Sequence, residues 1–142
     1  MRLSKRSEYG IRAMIKLATH SQDDLVSLKE LAGEENIPLK FLEQIFLALK
    51  NAGLLHSKSG RGGGYYLGKP ANQIVVGQIV RILDGPLAPI NCVSETSYEP
   101  CDCPDEEHCG LRLVMLDVRN AIADILDNTT LTDILNRTET DK

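Results

Sequence analysis

Between Ile37 and Leu67 the pattern of apolar residues changes period twice, and this stretch limits the fold more than any other. Pro38 stands where a helix can begin, because its missing N–H is one of the first-turn donors that lack a partner anyway. Leu42, Ile45, Phe46 and Leu49 then recur at i, i+3, i+4 and i+7, which predicts one buried helical face. Lys40, Glu43, Gln44 and Lys50 fall on the opposite face, and Gly53 supplies a stop. Two short strand signals follow, Leu54 to Lys58 and Tyr65 to Leu67, around the loop Ser59-Gly60-Arg61-Gly62-Gly63-Gly64. Consecutive glycines cost stability unless the backbone has to approach something closely. A helix followed at once by a basic, glycine-tipped hairpin predicts a winged helix-turn-helix. Its helix would enter a DNA major groove, and its wing would reach a phosphate backbone or minor groove.

The net charge of −4 looks wrong for such a chain until it is divided. Residues 1–81 hold 12 Lys and Arg against 7 Asp and Glu, whereas residues 82–142 hold 4 against 13. The basic part coincides with the helix and wing, as phosphate contact requires. Aromatic content of 4% without Trp argues against the stacking platforms of single-strand binders. No apolar run is long enough for a membrane span and no signal-peptide pattern opens the chain, so a cytoplasmic protein is expected.

Ahead of the central stretch, a first helix is expected from Ser4 or Ser7 to about His20, with Ile11, Met14, Ile15 and Ala18 on one face. Glu8 falls in its first turn, where an acidic side chain suits the helix dipole. Ser27 and Glu30 form a capping-box pattern for a short second helix over Leu28 to Glu34. Beyond the wing, Val76, Ile79, Val80 and Leu83 form the stripe of a fourth helix, Ile74 to Leu83, closed by Asp84-Gly85-Pro86.

All four cysteines lie in the long aperiodic loop that follows: Cys92, Cys101, Cys103 and Cys109, with His108 beside the last. Clustered thiols in a reducing compartment point to metal or redox chemistry rather than structural disulfides. Thiolates are strong ligands for zinc and iron–sulfur clusters, but the spacing lacks the paired knuckles of a zinc ribbon. A reversible disulfide, between Cys101 and Cys103 or a more distant pair, is the alternative. A final long helix, about Leu111 to Leu126, is apolar on nearly every side in its first half. Such a helix must be covered on both faces, and a second copy of the chain is the expected cover. Thr130 to Asp133 reads as a cap before a brief turn through Leu135, with Asn136 to Lys142 loose.

These residues resemble a family. "MRLSKRSEYGIRAM", "PLKFLEQIFLALKNAGLL", "GGGYYLGKP" and the late "CGL" are together similar to the IscR/NsrR type of bacterial iron–sulfur transcription regulators, over essentially the whole chain. The resemblance implies a dimeric winged-helix repressor or activator whose cysteine loop binds a 2Fe–2S or 4Fe–4S cluster, with cluster state changing DNA affinity. It implies Cys92, Cys103 and Cys109 as thiolate ligands, with Cys101 as an extra thiol able to replace Cys103. Where some members carry a His ligand three residues after the last Cys, this chain has Arg112, which cannot ligate. Other members use an acidic residue near the start of the first helix, sometimes from the partner subunit, and Glu8 occupies that position, with Cys101 and His108 as rivals. The matching DNA-contact positions are Pro38, Lys40, Phe41, Glu43 and Gln44. In the wing, Ser59 replaces the Arg of many members, and Lys58 and Arg61 bracket it.

The expected architecture is therefore mainly α with a small β-hairpin. A winged helix-turn-helix domain over 1–83 precedes a Cys-rich loop over 84–109, a dimerisation helix over 110–128 and a C-terminal cap and tail over 129–142. The expected function is a homodimeric regulator that reads a palindromic duplex operator and senses redox state, nitric oxide or iron–sulfur status. Its expected cofactor is a cluster, 2Fe–2S ahead of 4Fe–4S. The alternatives are a cluster-free thiol-switch repressor and, from another class, an iron–sulfur carrier or metalloenzyme. No nucleophile motif or catalytic base supports an enzyme.

Overall fold

Helix α1 (Lys5–Ala18) begins at Ser4, whose Oγ accepts from the Ser7 backbone N–H at 3.0 Å. That pairing supplies one first-turn donor with an acceptor, a cap generally worth about 1 kcal/mol. The computed structural model describes residues 2–21, 23–100 and 102–140. Helix α2 (Leu28–Glu35) is capped in the same way by Ser27, and ends at Asn36 in the left-handed conformation (φ 55°). Asn tolerates that region better than other non-glycine residues, so the chain reverses at once into Ile37-Pro38 and α3 (Leu39–Asn51). Strands β1 (Leu55–Lys58) and β2 (Gly64–Leu67) pair antiparallel, with Leu55 opposite Leu67 and Lys58 opposite Gly64. Val26 exchanges two backbone hydrogen bonds with Tyr65, at 3.0 and 2.8 Å, and so anchors the hairpin to the segment before α2.

A 3-10 turn (Ala71–Gln73) leads into α4 (Val76–Asp84), somewhat later than the expected start at Ile74. Its Ile79 and Leu83 enter a core with Met14, Leu17, Leu42, Ile45, Phe46, Leu49, Leu54 and Leu55. Ser4 ties the two ends of this bundle: its N–H and Oγ both donate to the Asp84 carboxylate. Burial pushes the Asp84 carboxyl up, but those hydrogen bonds and the Arg6 charge outweigh it, so its pKa lies below the usual carboxylate value.

The loop after α4 contains one 3-10 turn (Asn91–Val93) packed against α5 (Gly110–Leu126). The expected brief turn through Leu135 and the expected loose stretch from Asn136 to Thr140 form a helix instead, α6 (Leu131–Thr140), while Asp141 and Lys142 lie outside the described residues. Thr130 and Asp133 cap it reciprocally, at 2.9 and 3.0 Å, and Leu131 is fully buried. Helix α6 packs on α1 and on the 3-10 turn before α4, so the chain returns to the bundle it left at Asp84.

Candidate nucleic-acid interface and thiol loop

Helix α3 is held from behind by Leu42, Ile45, Phe46 and Leu49, all fully buried. That packing leaves Pro38, Lys40, Glu43 and Gln44 exposed in its first two turns. Charged and amide groups on one exposed face offer donors and acceptors suited to base edges and phosphates. Phe41 has a different setting: it is half-buried and meets Tyr9 of α1 edge-on, ring centroids 5.5 Å apart. It holds α3 against α1. Leu39 and Leu47 are exposed on the same helix, and Leu47 sits one turn from both Glu43 and Gln44. The core periodicity hid them, because they stand outside the buried stripe.

On the wing, Lys58, Ser59 and Arg61 are exposed around the tip. The tip glycines are explained by the chain itself. Gly62 has φ 74°, and a Cβ on Gly63 would overlap the Lys58 carbonyl oxygen. A Cβ on Gly64 would meet the Val26 carbonyl in the same way. The close approach that the glycine run signals is therefore met within the fold.

The described thiols lie between α4 and the first residue of α5. Cys92 is buried in its 3-10 turn, Cys103 is half-buried, and Cys109 is the N-cap residue of α5. Cys101 lies outside the described residues. Polar contacts pin this loop: Asn91 donates to Glu99 at 3.1 Å, Tyr98 to Glu106 at 2.5 Å, and Arg112 pairs with Glu106 at 3.6 Å. His108 pairs with Asp105 at 2.7 Å and is exposed. Glu8 is exposed on the first turn of α1 and pairs with Lys5 at 3.2 Å.

A model of the Rrf2 family, described as iron-dependent transcriptional regulator, matches residues 3–137. The chain belongs to the Rrf2 family. An rrf2-like HTH-type transcriptional regulator from Rhodobacter capsulatus is 36% identical over 94% of this chain and 91% of its own length. The HTH-type transcriptional regulator IscR of Pectobacterium atrosepticum is 35% identical, covering 98% and 82%. Among solved structures, CymR of B. subtilis, titled the global cysteine regulator, superposes with TM-score 0.80 at 33% identity over 96% of this chain and 98% of its own. IscR of T. potens superposes with TM-score 0.80 at 31% identity, over 100% and 91%.

As an Rrf2 protein the chain is a DNA-binding transcriptional regulator of the winged helix-turn-helix type, and not an enzyme. Its α3 and wing are the elements such a fold presents to a duplex. None of its described helices is long and apolar enough to cross a membrane. The thiol donors suit an iron–sulfur cluster in chemistry. Their placement is looser: among the described residues no three His, Cys, Asp or Glu side chains converge on one point, and Glu8 is not gathered with the cysteines.

Proposed function

We propose that this Rrf2 regulator acts as a homodimer on a palindromic operator, and that its cysteine loop sets its affinity for DNA. The carrying observation is where the thiols lie. They occupy the segment that joins the DNA-reading domain to α5, with Cys92 buried beside that helix and Cys109 at its start. Helix α5 has no fully buried residue, and Leu111, Leu113, Val114 and Ile125 are all more than half exposed. A second copy would cover them, and two α3 helices would then face two half-sites. Lys40, Glu43 and Gln44 would read the major groove, after Pro38 and with Phe41 behind them; Lys58, Ser59 and Arg61 would contact the backbone or minor groove.

For the sensor we favour a cluster, 2Fe–2S ahead of 4Fe–4S. Cys92, Cys103 and Cys109 would hold it, and Glu8 or Cys101 would supply the fourth ligand. Thiolate ligation would give a one-electron redox centre next to α5. The second reading, a cluster-free thiol switch, is favoured by the likeness to CymR, whose Staphylococcus aureus member has a structure in an oxidized form. Protein purified without oxygen decides between them. About two iron and two sulfide per chain, with visible absorption, are expected for the cluster. Colourless, iron-free protein under the same protection would overturn it. DNA binding is tested separately by the fall of duplex affinity with salt, whose slope counts the phosphates neutralised.

A further inference from the structure

We propose that Arg81 and Arg119 are positioning residues, forming a two-step relay that ties the cysteine loop to the DNA-reading domain through Glu95 and Asp127. The inference rests on the reading of the loop as the sensor. Arg81 projects from α4, in the reading domain. Its two terminal nitrogens donate to both oxygens of Asp127, at 2.5 and 2.8 Å. Asp127 is the C-cap of α5, so the planar fork fixes the orientation of that helix end as well as its distance. The fit is close: a Cβ on Gly77 of α4 would overlap the Asp127 carboxylate. Backbone bonds fasten the same corner, from Val76 to the Thr129 carbonyl and from Leu131 to the Ile74 carbonyl, each 3.0 Å.

The second step lies about two turns back along α5. There the Arg119 side chain, only 12% exposed, pairs with Glu95 of the loop. Glu95 follows Cys92 by three residues, with buried Val93 and Ser94 between them, so a shift of the thiol turn moves this carboxylate. The two pairs act as one set of charges. Arg81 is held above its ordinary value first by its hydrogen bond to Asp127, against burial, and then by the charges of Asp127 and Glu95. Arg119 in turn helps keep Asp127 low, behind the larger effect of Arg81. Both arginines line a cavity of about 30 Å³ with Pro86, Ser94, Thr96 and Ala123.

The relay makes a specific demand on the full chain. Duplex affinity would be measured with all thiols reduced, and again after reversible blocking with methyl methanethiosulfonate, on DNA selected from a random pool. The wild-type affinity ratio between the two states is expected to be about tenfold or more, within the usual range of couplings between sites. In Glu95→Gln and Arg119→Gln the ratio is expected to fall below about twofold, while reduced-state affinity and the urea midpoint stay near wild type. The charge swap Glu95→Arg with Arg119→Glu is expected to restore it. Glu95 is highly exposed, so its variant folds even if Arg119→Gln does not. A Glu95→Gln protein that keeps the wild-type ratio overturns the relay and leaves the sensor standing. A wild-type ratio near one overturns the reading that the state of the loop thiols reaches the DNA-reading surface, and the relay with it.

Discussion

Two regions of this molecule are built on different principles. The reading domain has a closed apolar core in which Phe46, Met14, Leu42 and Ile45 are fully buried. The loop and α5 bury Cys92 and Val93 and otherwise rely on polar pins such as Tyr98–Glu106 and Arg119–Glu95. A closed core gives a surface whose geometry is ready before DNA arrives. Half-exposed leucines along one helix mark a face suited to a covering partner. The difference separates a reader held by its own core from a segment held by polar contacts and an open apolar face.

The largest test of that contrast is Phe46→Ala. Emptying the centre of the reader is expected to cost about 3–5 kcal/mol, read from urea unfolding. The paired change Leu113→Asp with Val114→Asp should leave the single chain folded but halve its mass in sedimentation. The unfolding midpoint should also lose its dependence on protein concentration. An unchanged mass would show that α5 is not the joining face. At the reader's surface, Gln44→Ala is expected to relax preference at one base pair by about 1–3 kcal/mol. Arg61→Ala should instead weaken all duplexes alike and lower the salt slope by about one. The smallest effect concerns acid. Asp127 is held below the ordinary carboxylate value, mainly by its hydrogen bond from Arg81. A depressed carboxylate stabilises the fold above its unfolded pKa, and that contribution is lost as pH falls through the folded value. The midpoint of thermal unfolding should therefore drop below about pH 4, and less steeply in Asp127→Asn. Equal slopes would remove the pair from the acid response.

The reader was legible because its helices are written as core stripes. Ile45, Phe46 and Leu49 recur at helical spacing and are buried as that spacing predicts. Serines 4 and 27 stand at the helix starts their types suggest. The run of glycines was legible as a close approach, but not as one between Gly63 and the chain's own Lys58 carbonyl. Helix α6 was missed because its second half, Asn136 to Thr140, is polar and poor in helix formers. What orders it is tertiary: Leu131 enters the core and the helix packs on α1. Arg81 and Asp127 lie 46 positions apart, and no local pattern pairs residues at that separation. The thiol loop shows its donor types in the sequence, while its packing depends on contacts that periodicity does not record.

The segment between α4 and α6 is fastened to the bundle at both of its ends. Asp84 is moored by Ser4 where the segment leaves the bundle, and Thr129 and Leu131 are moored by Val76 and Ile74 where it returns. The intervening chain, α5 included, is anchored at both feet to one bundle. Lengthening such a loop is cheap, about 0.6 kcal/mol for each doubling. The segment between those moorings behaves like a cartridge in a socket. Its length can therefore vary at little cost while the two moorings hold the same corner of the bundle.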